Sequence, residues 1–92
     1  SRKSRKMVLC ESAIDALSVF LLHPWCVAVS TSGVSADPAW LRNVLSKGYE
    51  VFCGFDSDET GERFARKMIR LHPSVKRLRP ELKDWNDILK ES

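Results

Sequence analysis

The chain has 92 residues, 43% hydrophobic and 29% charged, enough for one small core and too few for two domains. Its formal charge of +3 is concentrated at the start: four of the 15 lysines and arginines lie in residues 1–6, leaving 11 basic against 12 acidic residues, so the body is not a nucleic-acid binder by bulk charge. No signal-peptide pattern opens the chain and no stretch approaches the roughly 20 apolar residues of a membrane span, which excludes a membrane partner and makes the cytoplasm the expected location. Cys10, Cys26 and Cys53 are odd in number and sit in apolar runs, the pattern of buried thiols in a reducing compartment instead of disulfides or zinc ligands. The basic segment 1–6 reads as a flexible tail. The remainder, 7–92, reads as a single domain taken from a longer protein.

Residues 6–10 (KMVLC) form a short apolar run that predicts a first strand ending near Glu11. Ser12 and Asp15 then fit a capping box that starts a helix running to about His23. Ile14, Leu17 and Leu21 are spaced as its inner face, and His23-Pro24 ends it because the residue before proline resists helical geometry. Cys26 to Val29 predicts a second strand, and Ser30-Thr31-Ser32-Gly33 is loop material. Asp37-Pro38 predicts the N-cap and first position of a second helix, with Trp40, Leu41, Val44 and Leu45 facing inward and Gly48 closing it. Glu50 to Phe55 predicts a third strand. After the polar turn Asp56-Ser57-Asp58-Glu59, Phe64, Ala65, Met68 and Leu71 are spaced as the buried stripe of a third helix, which His72-Pro73 stops. Val75 to Leu78 predicts a fourth strand, and Asp84 to about Lys90 a last helix.

Strands alternating with helices, and strands that read as continuous apolar runs, predict an α/β fold: a four-stranded parallel sheet with helices on both faces and a Rossmann-like, three-layer architecture. A strand order 2-1-3-4 places the first strand beside the third. Glu11, Asp56 and Asp58 then converge at the carboxyl edge of the sheet, where open parallel sheets bind ligands. Carboxylates crowded there repel one another unless a cation is present. Magnesium is the natural choice, with manganese as a substitute, because it takes hard oxygen ligands and leaves positions for water and phosphate. Asp56 and Asp58, spaced D-x-D on a turn, are the candidate metal ligands; Glu11 is the candidate for proton transfer. Asp84 and Asp87 follow the fourth strand less closely.

The run VLCESAIDAL containing Glu11, the loop STSGV, the turn GFDSDETGERFA and the later LRPELKDWNDIL together resemble the Toprim domain. That domain is shared by bacterial-type DNA primases, type IA and type II topoisomerases and some repair nucleases, and the resemblance covers residues 7 to about 90. It is similar above all to the primase branch, with strand endings E-G-x-x-D and D-x-D-x-A-G and a trailing acidic segment. The resemblance implies that Glu11 is the acid/base glutamate, that Asp56 and Asp58 bind metal, and that Asp84 joins them. It further implies a nucleotidyltransferase of DNA replication acting on DNA or RNA and nucleotides, alongside other domains of its parent protein. Ser12 stands where primases have glycine, Thr60 where they have alanine and Val34 where they have threonine, a divergence that fits a phage or mobile-element protein. A Toprim nuclease, a topoisomerase-related domain and a non-catalytic nucleic-acid-binding module are the alternatives.

Each of these residues also has a plainer reading. Asp15 and Glu11 suit the first turn of a helix, where carboxylates meet the positive end of the dipole; Asp15 is accordingly a secondary site candidate. Asp58 suits an N-cap. Gly61 either lets a phosphate approach or relieves packing, and Gly33 is either a phosphate loop or a turn. Arg63, Arg66, Lys67 and Arg70 share one helix face that either tracks a nucleic-acid backbone or is simply solvated. Lys83, next to Asp84, is placed to meet a phosphate. His23 and His72 read as helix-end residues, and Trp25, Trp40 and Trp85 as packing residues. Tyr49 begins a strand, at the wrong end of the sheet for a topoisomerase nucleophile.

Overall fold

The computed structural model describes residues 5–31 and 35–91. Four strands, β1 (Lys6–Cys10), β2 (Val27–Ser30), β3 (Glu50–Cys53) and β4 (Lys76–Arg77), alternate with four helices, α1 (Ala13–Leu22), α2 (Leu41–Ser46), α3 (Glu59–Leu71) and α4 (Trp85–Glu91). The strands form one parallel sheet in the order β2-β1-β3-β4, the order expected from the sequence. Met7 lies opposite both Val27 and Val51, and Leu9 opposite both Val29 and Cys53.

Alternation along the strands supplies two cores. Met7, Leu9, Val51 and Cys53 pack with Leu41 of α2 and Ala65 and Met68 of α3. Val8 and Cys10 pack with Val19 of α1 and Trp85 of α4, with Phe52 and Ala28 half-buried beside them. Because successive side chains point to opposite faces and both faces are covered, every β1 position from Met7 to Cys10 is buried. Full burial of side chains such as Leu9 or Val51 contributes about 1.5–3 kcal/mol each.

Helix ends follow local chemistry. Ser12 caps α1, its hydroxyl oxygen accepting from the Asp15 amide at 3.2 Å. The amides of His23 and His72 donate to Val19 and Met68 carbonyls and close α1 and α3. Gly48 follows α2 with φ of 88°, a left-handed conformation that glycine adopts without a Cβ clash.

Several expectations need correction. On α1 the residues turned inward are Asp15, Ser18 and Val19, with Ala16 and Leu22 half-buried, whereas Ile14, Leu17 and Leu21 are more than half exposed. The helix is apolar almost throughout, so hydrophobic spacing carried no direction. The second helix begins at Leu41, not Pro38, and Asp37 does not cap it; its carboxylate instead meets His72 Nε2 at 2.8 Å. Trp40 and Leu71 lie at the exposed margins of their helices, and Trp25 is also exposed, with only Trp85 deeply packed. Strand β4 is two residues long where four were expected.

Candidate functional site

The parallel pairing of β1 and β3 sets the site. Their carboxyl ends lie side by side, and beyond the last paired residues the Gly54 amide still reaches the Leu9 carbonyl at 2.8 Å. The chain leaves β1 through Glu11 and β3 through Asp56, and the two meet: the Asp56 amide donates to Glu11 Oε1 at 3.0 Å. One side-chain oxygen of Glu11 therefore fixes the turn that carries both aspartates.

That turn is held from several sides. The Ser57 amide donates to the Lys83 carbonyl at 2.9 Å and its hydroxyl to the Pro80 carbonyl at 2.6 Å. Asp58 caps α3, its Oδ1 accepting from the Gly61 amide at 2.7 Å. Arg77 supplies the strongest anchor. Its guanidinium donates to the carbonyls of Cys53, Phe55 and Asp56 at 2.9, 2.7 and 3.0 Å, while its Nε pairs with Glu62 at 3.0 Å. Arg79 pairs with the same glutamate, and these two partners hold the Glu62 carboxyl below the usual range. No motif or spacing in the sequence marks Arg77. The carbonyls it binds lie 21 to 24 residues away, so its role leaves no local signal.

Gly61 is packed tightly against the acidic turn. A Cβ there would collide with the backbone of Asp56, so glycine is needed to let the first turn of α3 close over the acidic turn. Asp15 proves more central than a first-turn carboxylate. It is buried, accepts from the Ser12 hydroxyl at 3.0 Å, and accepts from the Asn86 amide at 3.3 Å, joining α1 to the start of α4. Asp84 uses Oδ1 to accept from the Asp87 amide at 2.8 Å. Lys83 is exposed, as are Arg63 and Lys67 on α3. Gly33 lies outside the described residues.

Electrostatically the centre is Asp56. Burial, then the charge and hydrogen bonding of Glu11, and then the charges of Asp15 and Asp84 push its carboxyl up to about 7. Its Oδ1 is buried without a hydrogen-bond partner among the described residues. A buried carboxylate oxygen without a donor is costly. Among the described residues no three His, Cys, Asp or Glu side chains are gathered closely enough to form a ready-made ligand cluster. The chemistry of the turn nonetheless suits magnesium, which needs only one or two protein carboxylates and keeps water in its other positions: the orphaned Asp56 oxygen offers one ligand, while Asp58 is engaged by one oxygen in capping α3. The three cysteines take no part, being buried, with burial raising their thiols.

A parallel α/β sheet carrying acidic residues at adjacent strand ends defines a class of domain built for ligands at its carboxyl edge. The chain belongs to the Toprim-like family, whose model matches residues 8–89. No curated protein matches it significantly. Among solved structures, the primase fragment of the bacteriophage T7 primase-helicase protein superimposes with a TM-score of 0.73 at 22% identity, over 99% of this chain and 41% of that one. A small TOPRIM domain protein from Bacillus stearothermophilus gives 0.72 at 27% identity, over 90% of this chain and 74% of that one. A bacteriophage T7 assembly of lagging-strand DNA polymerase with primase domains bound to an RNA/DNA hybrid and dTTP gives 0.64 at 20% identity, over 99% of this chain and 50% of that one. The chain thus spans half or less of the T7 proteins it matches. Among the described residues no helix is long and apolar enough to cross a membrane.

Proposed function

We propose that this domain is the catalytic Toprim module of a DNA primase-like protein, transferring nucleotidyl groups on nucleic acid with magnesium. The observation that carries the reading is the buried, unpartnered Asp56 oxygen, set beside Glu11 where β1 and β3 end together. Asp56 and Asp58 would hold the ion, with Asp84 beside them. When bound, it neutralises charge building on the phosphoryl oxygens. Glu11 keeps one oxygen on the Asp56 amide, which orients its carboxylate, and uses the other to take a proton from the attacking hydroxyl or return one to the leaving oxygen. Arg77 and Gly61 keep the turn in the geometry this requires. Nucleic acid, nucleotides and the remaining domains of the parent protein are the partners; the T7 primase domains bound to an RNA/DNA hybrid support the first of these.

A second reading, a nucleic-acid-binding module without metal chemistry, is favoured by the helix-capping bonds that Asp58 and Asp84 already make. Substitution at Asp58 separates the two. Asparagine caps a helix about as well as aspartate, whereas alanine costs about 1 kcal/mol of stability. Asp58→Asn is expected to keep the thermal stability of the domain and to weaken the magnesium-dependent NMR shifts at Glu11 and Asp56, along with primer synthesis by the parent protein. Shifts unchanged by both Asp58→Asn and Asp56→Asn would overturn the metal reading.

A further inference from the structure

Helix α3 leaves the acidic turn and carries Arg63, Arg66, Lys67 and Arg70 outward, while its opposite face buries Ala65 and Met68. Arg63, Phe64, Lys67 and Arg70 line a cavity of about 310 Å³. The wall is already partly organised: the Arg63 guanidinium lies over the Phe64 ring, 5.6 Å from its centroid, and Phe64 is itself packed against the main core. An arginine held against an aromatic ring loses less freedom when it meets an anion.

Five of the described lysines and arginines are paired with carboxylates, and what sets the cavity apart from the other unpaired cations is that three of them line one hollow. Lys6 and Lys76 share Glu50, Arg77 and Arg79 share Glu62, and Lys90 pairs with Asp87. Arg63, Lys67 and Arg70 have no carboxylate partner among the described residues, although Glu62 is adjacent in sequence and is taken by the β4 arginines. Three uncompensated charges around one hollow repel one another, and an anion relieves that repulsion. Seven residues separate Arg63 from Arg70, a rise of about 10 Å. Adjacent phosphates of an extended single strand lie farther apart than the roughly 3.4 Å rise of a duplex strand, so this span faces two or three of them.

We propose that this cavity binds the phosphodiester backbone of single-stranded nucleic acid, two or three consecutive phosphates lying along Arg63, Lys67 and Arg70, and so leads the strand away from the acidic turn. The assignment rests on the nucleic-acid reading above. It involves no metal, so it is tested in EDTA, where loss of the proposed metal chemistry cannot affect the result.

The test uses fluorescence anisotropy of a labelled 12-nucleotide oligothymidylate across a salt series. The variants are Arg63→Gln/Lys67→Gln/Arg70→Gln and, as an equal removal of charge from paired lysines elsewhere, Lys6→Gln/Lys76→Gln/Lys90→Gln. Circular dichroism checks that α3 persists, as glutamine is a good helix former. The α3 variant is expected to lose about tenfold or more in affinity and to flatten the slope of log K against log salt by about 2, near 0.7 for each lost phosphate contact. The control is expected to change neither appreciably. Equal losses in both variants would show binding by net charge alone and overturn the site. So would an α3 variant that binds the strand as before. ATP and inorganic phosphate, titrated as competitors, separate strand from free ligand. Displacement by either at the phosphate concentration of the oligonucleotide itself would make the cavity a mononucleotide or anion site and overturn the strand assignment.

Discussion

Asp56 carries the most strongly raised carboxyl among the described residues, and its consequence for stability has a definite sign. The unfolded chain ionises this carboxyl near 3.8, whereas in the fold burial and Glu11 hold it to about 7. The folded state thus keeps the proton longer, and the contribution is complete below pH 3.8 and lost as pH rises toward 7. Thermal unfolding without divalent metal should show the melting temperature falling across that interval. Asp56→Asn should flatten the dependence, and on the proposed metal reading magnesium should restore stability at pH 8. A wild-type profile that is flat between pH 4 and 8 would rule out the buried-carboxylate account. The placement of Asp56 and Glu11 at neighbouring strand ends was readable because it follows from strand order and from residues set just past apolar runs. Their direct hydrogen bond was not, since it depends on where a flexible glutamate points. Asp15 was undervalued for a related reason: a capping-box position explains a carboxylate locally and hides its bond to Asn86, 71 residues away.

At the level of elements, the strands were easier to read than the helices around them. A strand buried on both faces declares itself as an unbroken apolar run, and parallel order follows from the helical crossovers. Helix α1 gives no such guidance, because its inner and outer faces are both largely apolar. Two substitutions distinguish them. Val19→Ala empties a fully buried position and should cost about 2 kcal/mol, while Leu17→Gln, at a position 58% exposed, should stay within about 0.5 kcal/mol. Chemical denaturation of both variants measures this, and a larger loss for Leu17→Gln would return the helix to the orientation its spacing first indicated. The start of α2 misled for a different reason. Asp37-Pro38 has the composition of a helix start, but a tertiary partner, His72, takes the aspartate, and long-range pairing of that kind leaves no local trace.

Across the whole molecule, the sheet edge and the acidic turn are joined through Arg77. The side chain is only 10% exposed, and it binds β4 to the chain that follows β3 and to Glu62 in α3. Removing the guanidinium leaves a part-buried carboxylate and several carbonyls without their charged donor, a loss of about 2 kcal/mol or more. Arg77→Met should therefore lower stability by about that amount and raise amide hydrogen exchange together at Leu78, Ser57 and Gly61, which belong to β4's end, the turn and α3. Arg77→Lys should recover little, since an ammonium cannot match a planar fork aimed at several carbonyls. Exchange that rises at Leu78 alone would show that edge and turn are independent.

The brevity of β4 explains why one residue acquires this reach. With only Phe52 and Cys53 paired to it, the carbonyls of Phe55 and Asp56 lie past the end of the ladder, and a guanidinium arriving sideways does for them what further strand would have done. A length of sheet is thereby encoded in a single codon. Mutational tolerance along 74–83 should consequently be uneven, with substitutions accepted freely at exposed Ser74, Lys76 and Glu81 and almost none accepted at Arg77.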